Sequence, residues 1–138
     1  MAEADVCDLL PCQWQCPDAF RKRLGEQPGR QRVMNHDGHL LLVLHAPPLK
    51  DDEHREGHYF WLDPSGIGKA HDGQGGKASL ASLVDAYRRR LEEARLQEVA
   101  AHTAREYFDV LTMLNPLARS TRNLHNVLRE ARKEATED

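Results

Sequence analysis

The chain of 138 residues contains no long apolar run: its longest stretch of uninterrupted hydrophobic residues covers 40–44. A membrane-spanning helix needs about 18 such residues, so direct insertion into a bilayer is not expected. The N-terminal sequence MAEADVCDLL is acidic and lacks the basic start and apolar middle of a secretory leader. These two features set the expectation of a cytoplasmic protein. Aromatic residues are scarce, at 6%, and the mean hydropathy is -0.69. The core is therefore thin or the helices are elongated, with most of each helix facing water. A surplus of positive charge is missing as well, since the formal net charge is -3. Nucleic-acid backbones require a concentrated positive field, and the short run Arg88-Arg89-Arg90 is answered by Glu92 and Glu93 one turn on. That run reads as a solvated helix face, and nucleic acid is not expected as a partner.

Catalytic signatures are lacking too. The sequence holds no Gly-x-Ser-x-Gly, no His-Glu-x-x-His and no Walker motif. Ser65-Gly66-Ile67-Gly68-Lys69 is glycine-rich and ends in Lys, but it is too short for a phosphate-binding loop and has no Ser or Thr after the Lys. It reads as flexible linker, so an enzyme is not expected and no cofactor is required. Cysteines are few and odd in number: Cys7, Cys12 and Cys16. Their gaps are four and three residues, and the second close pair that a structural zinc site normally brings does not follow. With His36 or His39 they could supply four ligands, whereas the plainer alternative is three ordinary thiols. A disulfide framework is not expected of them. The second candidate for a cation is the connector Asp51, Asp52, Glu53, His54 with His58. Its carboxylates and imidazoles suit a divalent ion, and its bland reading is a solvated loop.

What is present is a change of period along the chain. Residues 18–24 suit a short helix closed by Gly25. His39-Leu40-Leu41-Leu42-Val43-Leu44-His45 lies between Asn35-His36-Asp37-Gly38 and Pro47-Pro48, which predicts a strand buried on both faces. Residues 30–34 would pair with it across the Asp-Gly turn. The aromatic segment 58–62, stopped by Asp63-Pro64-Ser65-Gly66, predicts a third strand. Five glycines, Gly66, Gly68, Gly73, Gly75 and Gly76, mark 66–77 as a linker. From Ser79, a candidate cap, the apolar residues Leu80, Leu83, Val84, Tyr87, Leu91 and Ala94 recur at helical spacing. No Gly or Pro intervenes until Pro116, so one helix is expected over 79–114. Asn115-Pro116 has the form of a new helix start, followed by Leu117, Thr121, Leu124, Val127 and Leu128 on one side. The expected fold is α+β: an antiparallel sheet of about three strands over 30–62, plus a long C-terminal helical arm broken or kinked at Pro116. The division is 1–76 for the small α/β region and 78–138 for a long helix or helical hairpin.

Several of these segments together resemble a known family. Gly29-Arg30-Gln31-Arg32 with the strand 39–45 and Ala46-Pro47-Pro48 is similar to the cytoplasmic N-terminal region of bacterial CorA-like divalent-cation (magnesium) transporter homologues. Tyr59-Phe60-Trp61 before Asp63-Pro64-Ser65-Gly66 fits the same pattern. So do Tyr107-Phe108-Asp109-Val110-Leu111, Leu114-Asn115-Pro116-Leu117-Ala118-Arg119 and Arg122-Asn123-Leu124-His125. The resemblance spans about 29–132. It implies a small α/β domain before a long helix, subunits gathered around an axis, and regulation by an intracellular cation. Membrane spans and the Gly-Met-Asn pore motif are absent from this sequence, so transport is not implied.

The expected function is that of a non-catalytic cytoplasmic domain resembling the soluble part of such a transporter. It would associate with itself through the arm and respond to a divalent cation. Leu111, Leu114, Leu117, Leu124 and Leu128 would carry the packing, with Arg119, Arg122 and Asn123 as polar contacts to a neighbouring helix. The premise is that a rod this long carries more apolar edge than a small sheet can shelter. Two alternatives are a free-standing helical adaptor for another protein and a small zinc-binding protein.

Overall fold

The computed structural model describes residues 9–25, 29–48, 56–73 and 75–136. The elements in chain order are α1 (Asp18–Leu24), β1 (Arg32–His36), β2 (His39–His45), β3 (Gly57–Leu62), β4 (Gly68–Ala70), α2 (Gly76–Ala100) and α3 (Ala104–Thr136). The fold is α+β, with the four strands forming one antiparallel meander in the order β1-β2-β3-β4.

Local chemistry sets the register of the sheet. Asp37 and Gly38 both adopt positive φ, 50° and 82°. That is the geometry of the two-residue hairpin turn whose twist matches the flanking strands. The turn closes on the pair His36↔His39, so β1 is Arg32–His36 rather than 30–34. At the next corner Asp63 Oδ1 accepts hydrogen bonds from the Ser65 N–H, the Ser65 hydroxyl and the Ile67 N–H. These bonds turn the chain back into β4, pairing Trp61 with Lys69. The segment 66–77 is thus no flexible linker: it holds the fourth strand and the start of α2. Gly76 lies so close to β4 that a Cβ there would sit 3.0 Å from the Gly68 carbonyl carbon.

Side chains alternate across a strand, and here both faces are covered. Leu40, Leu42, Leu44 and Phe60 share a core with Leu83 and Tyr87 of α2 and Leu117, Leu124 and Val127 of α3. Leu41, Val43, Tyr59 and Trp61 share a second core with Leu10, Trp14, Phe20 and Leu24. The expectation of a strand buried on both faces holds for β2. The N-terminal segment is fastened by Arg21, which donates to the carbonyls of Leu10, Pro11 and Trp14 at 3.3, 2.7 and 3.0 Å. Cys16 in this layer is a free buried thiol. Cys12 is disulfide-bonded, contrary to the expectation of unpaired thiols.

The arm reverses direction at 101–103, not at Pro116, and no helix begins at Asn115. Thr103 caps α3: its hydroxyl accepts the Glu106 N–H at 3.1 Å and bonds the Glu106 carboxylate at 3.0 Å. This Thr-x-x-Glu capping arrangement is a helix start. Pro116 lies inside α3, which runs on past it. The α2 helix also begins earlier than Ser79, at Gly76 with Gly75 as its cap. Ser79 is buried within the helix and its hydroxyl bonds Asp72 Oδ2 at 2.8 Å.

Candidate interaction surface on the helical hairpin

The inner edge of α3 is a run of buried residues: Val110, Met113, Leu117, Ser120, Leu124, Val127 and Ala131. Their spacing alternates between three and four, which keeps a seam facing one way along a helix. The single polar member, Ser120, is matched. Its hydroxyl shares a 2.7 Å hydrogen bond with Tyr87 OH, and its carbonyl accepts one from Gln31 Nε2 at 2.9 Å. Tyr87 OH also contacts the His45 carbonyl at 2.7 Å, and the His45 N–H donates to Gln31 Oε1 at 3.1 Å. Both helices are thereby fixed to the ends of β1 and β2.

Length then decides what stays uncovered. The 25 residues of α2 and 33 of α3 extend ~37 and ~50 Å at 1.5 Å per residue. The longest strand has 7 residues and extends only ~24 Å. The far part of the hairpin overhangs the sheet, and large apolar side chains are exposed there. Tyr107 is 49%, Phe108 68% and Leu111 53% exposed, with Leu96 and Val99 exposed on the partner helix. Tyr107, Leu111, Leu114 and Ala118 repeat at intervals of four, three and four residues. They form a second stripe beside the buried one, with Leu114 and Ala118 half-buried.

The residues expected to face a neighbouring subunit therefore divide. Leu117 and Leu124 are buried in the chain's own core and Leu128 packs against it. As placed, Leu117 and Leu124 are not open to another subunit, because the sheet and α2 already lie over that edge. Leu111 and Leu114 lie on the second stripe, and Arg119, Arg122 and Asn123 are exposed. The exposed Leu96 and Val99 were not singled out in the sequence, since they fall outside the main helical period, whereas Phe108 belongs to the apolar segment 107–111 that was. The triple-arginine run is not uniformly solvated. Arg89 pairs with Asp85 at 2.9 Å on the surface, but the Arg90 side chain is only 17% exposed and pairs with Glu93.

Among the candidate cation ligands, Asp51, Asp52, Glu53 and His54 lie outside the described residues. His58 is placed against His71, with ring centroids 5.1 Å apart. Burial pushes its pKa down, the neighbouring His71 pushes it further, and Glu56 and Asp72 oppose the shift. No group of three or more His, Cys, Asp or Glu residues placed to hold a metal occurs among the described residues. Of the zinc candidates, Cys7 is outside the described residues, and the sulfur of Cys12 is committed to its disulfide rather than available as a thiolate. Burial raises the Cys16 thiol pKa. His36 contacts Asp37 at 3.2 Å, and His39 Nδ1 accepts from Trp61 Nε1 at 3.0 Å. Burial also pushes the Tyr59 hydroxyl up to about 12, against the pull of nearby Arg32. No described helix is long and apolar enough to cross a membrane.

Comparisons with family models, with curated proteins and with solved structures find no match.

Proposed function

We propose that this protein is a non-catalytic cytoplasmic interaction domain whose helical hairpin associates with a second copy of the same chain. The observation that carries the reading is the second apolar stripe of α3, Tyr107, Leu111, Leu114 and Ala118, standing beside a first stripe already consumed by the core. Heptad-like spacing suits a neighbouring helix more than a small ligand. The exposed parts of Tyr107, Phe108 and Leu111 come to on the order of 350 Å² per copy, scaled from the size of aromatic side chains. At ~25 cal/mol per Å², two copies gain about 17 kcal/mol gross. Lost translational and rotational freedom costs on the order of 4–15 kcal/mol. The surplus of roughly 2–13 kcal/mol brackets a micromolar dissociation constant.

The likeness to the soluble region of CorA-like transporters extends this proposal to regulation of assembly by a divalent cation. Asp51, Asp52, Glu53, His54 and His58 are the side chains of suitable chemistry. The test pairs a charge on the stripe with one off it. Leu111→Arg should abolish self-association measured by sedimentation, whereas Arg105→Glu or an equivalent exposed change should leave more of it. Equal association of Leu111→Arg and the parent would refute the stripe. A monomer that binds one unrelated protein through the same stripe would replace this reading with the adaptor one. Magnesium that leaves the sedimentation of an associating chain unchanged would remove the regulatory part alone.

A further inference from the structure

Charge is sorted differently on the two long helices. In α2 the arginines are answered locally: Arg89 pairs with Asp85, Arg90 with Glu93 and Arg95 with Glu92, each three or four residues away. In the second half of α3 the pattern is otherwise. From Arg119 to Lys133 the helix carries five basic residues against one acid, Glu130, in a chain of net charge -3. Arg119, Arg122 and Arg129 have no Asp or Glu three or four positions away on either side, the separations at which helical side chains meet. All three are exposed, and among the described residues none is held by an ion pair or a hydrogen bond.

Spacing puts them on one line. Arg119, Arg122, Asn126 and Arg129 follow at intervals of three, four and three residues, on the side of α3 away from the buried seam of Leu117, Leu124 and Val127. The seam, and not this row, meets the sheet and α2. The row rises ~15 Å along the helix, with the exposed amides of Asn123 and Asn126 between its cations. A planar guanidinium bonds phosphate at two points, and Asn donates to the same backbone. A lipid surface fits less well. Helices that lie on membranes bury an apolar face, and no large apolar side chain is exposed between Arg119 and Arg129. Among duplexes, the B-form major groove admits an α-helix, whereas the major groove of A-form RNA is too narrow for side chains to read.

We infer that the outer row of α3, Arg119, Arg122 and Arg129, docks on the phosphate backbone of duplex DNA with the helix along the major groove. Net charge and the run Arg88-Arg89-Arg90 argue against nucleic acid when charge is summed along the chain, but the fold gathers separated arginines into one local field. The row contains none of Tyr107, Leu111, Leu114 and Ala118, so docking does not require the self-association stripe.

The test is fluorescence anisotropy of a labelled DNA duplex of ~20 base pairs, about two helical turns, titrated with the full chain. Three phosphate contacts give a log–log salt slope of about -2.7, so affinity should fall roughly fortyfold between about 50 and 200 mM salt. The combined variant Arg119→Gln, Arg122→Gln and Arg129→Gln should lose measurable binding, and Arg122→Gln alone should flatten the slope by about 0.9. Arg89→Gln, at a paired surface site on α2, should bind as the parent does. Four results would overturn the inference: no binding by the parent at low salt up to ~100 μM, the weak end of non-specific affinities; undiminished binding by the combined variant; an RNA duplex of the same length bound as tightly; or phosphatidylglycerol vesicles bound more tightly than DNA. Should the combined variant fail to fold, Arg122→Gln decides, and a salt slope equal to the parent's would overturn the docking.

Discussion

Tyr87→Phe is the sharpest probe of how the hairpin is held on the sheet. The substitution keeps the ring, which is 2% exposed, and deletes one hydroxyl. That hydroxyl bonds the His45 carbonyl and the Ser120 hydroxyl, each at 2.7 Å. Because the site is buried, its former partners lose a bond that water cannot easily replace, and the cost should be ~1–3 kcal/mol. Ser120→Ala deletes the other side of one of these bonds and a longer one from Gln31 Nε2 at 3.3 Å, but keeps the Ser120 carbonyl that the same Gln31 Nε2 reaches at 2.9 Å, so it should cost less, about 0.5–1.5 kcal/mol. The double variant should then lose less than the sum, since the shared bond can be broken only once. A coupling of ~0.5–1.5 kcal/mol is expected for groups in one network. Urea denaturation at fixed pH reads all four proteins through the midpoint, with the slope unchanged if only native stability moves. A Tyr87→Phe midpoint equal to the parent's, or strictly additive losses, would refute the network as a tie between helices and strands.

Three other outcomes follow from named contacts. Leu117→Ala, at a fully buried site, should cost ~2–5 kcal/mol by denaturation; a cost below that range would mean the α3 edge is not packed on the sheet. Thr103→Ala removes the cap of α3 and should cost ~0.5–2 kcal/mol, whereas Thr112→Ala, whose hydroxyl bonds the Phe108 carbonyl within the helix, should be close to neutral. Stability should also fall on mild acidification. The folded-state pKa of His58 is depressed, first by burial and then by His71, so its contribution is present above the unfolded value of ~6.5. It is lost as pH drops from there through the lower folded value, because the unfolded chain takes up the proton first. Denaturation midpoints of His58→Gln should fall less steeply than the parent's over that window, and parallel profiles would contradict the assignment.

Much of the sheet was legible because its signals are local. Asp37-Gly38 specifies a turn, and five consecutive apolar residues at 40–44 can only be buried on both sides of β2. The three-residue β4 was not legible, since Gly68–Ala70 has too little side chain to show a period. The helix break was visible in principle as Thr103-x-x-Glu106, but the run of alanines around it and the stronger-looking Asn115-Pro116 pointed elsewhere. Packing explains the difference: Met113, Leu117 and Ser120 bracket Pro116 on a buried seam, and burial outweighs a proline's preference for a helix start. The N-terminal layer was opaque because Arg21 fastens it through backbone carbonyls, which leave no mark in residue types. The sequence located the long C-terminal helical arm but not which part of it the sheet would already cover. Leu117 and Leu124 lie on the buried stripe and Leu111 and Leu114 on the stripe beside it, a division by helix face and by overhang that a shared apolar period does not show.

Self-association is most directly tested by the weight-average mass of the purified chain across a dilution series, measured by sedimentation equilibrium. The account predicts a mass rising from that of a single chain, 15.7 kDa, toward a multiple of it over concentrations around the micromolar range. Leu111→Arg should remain at the single-chain mass throughout. A parent chain that keeps the single-chain mass up to about 100 μM, well above such a dissociation constant, would contradict it.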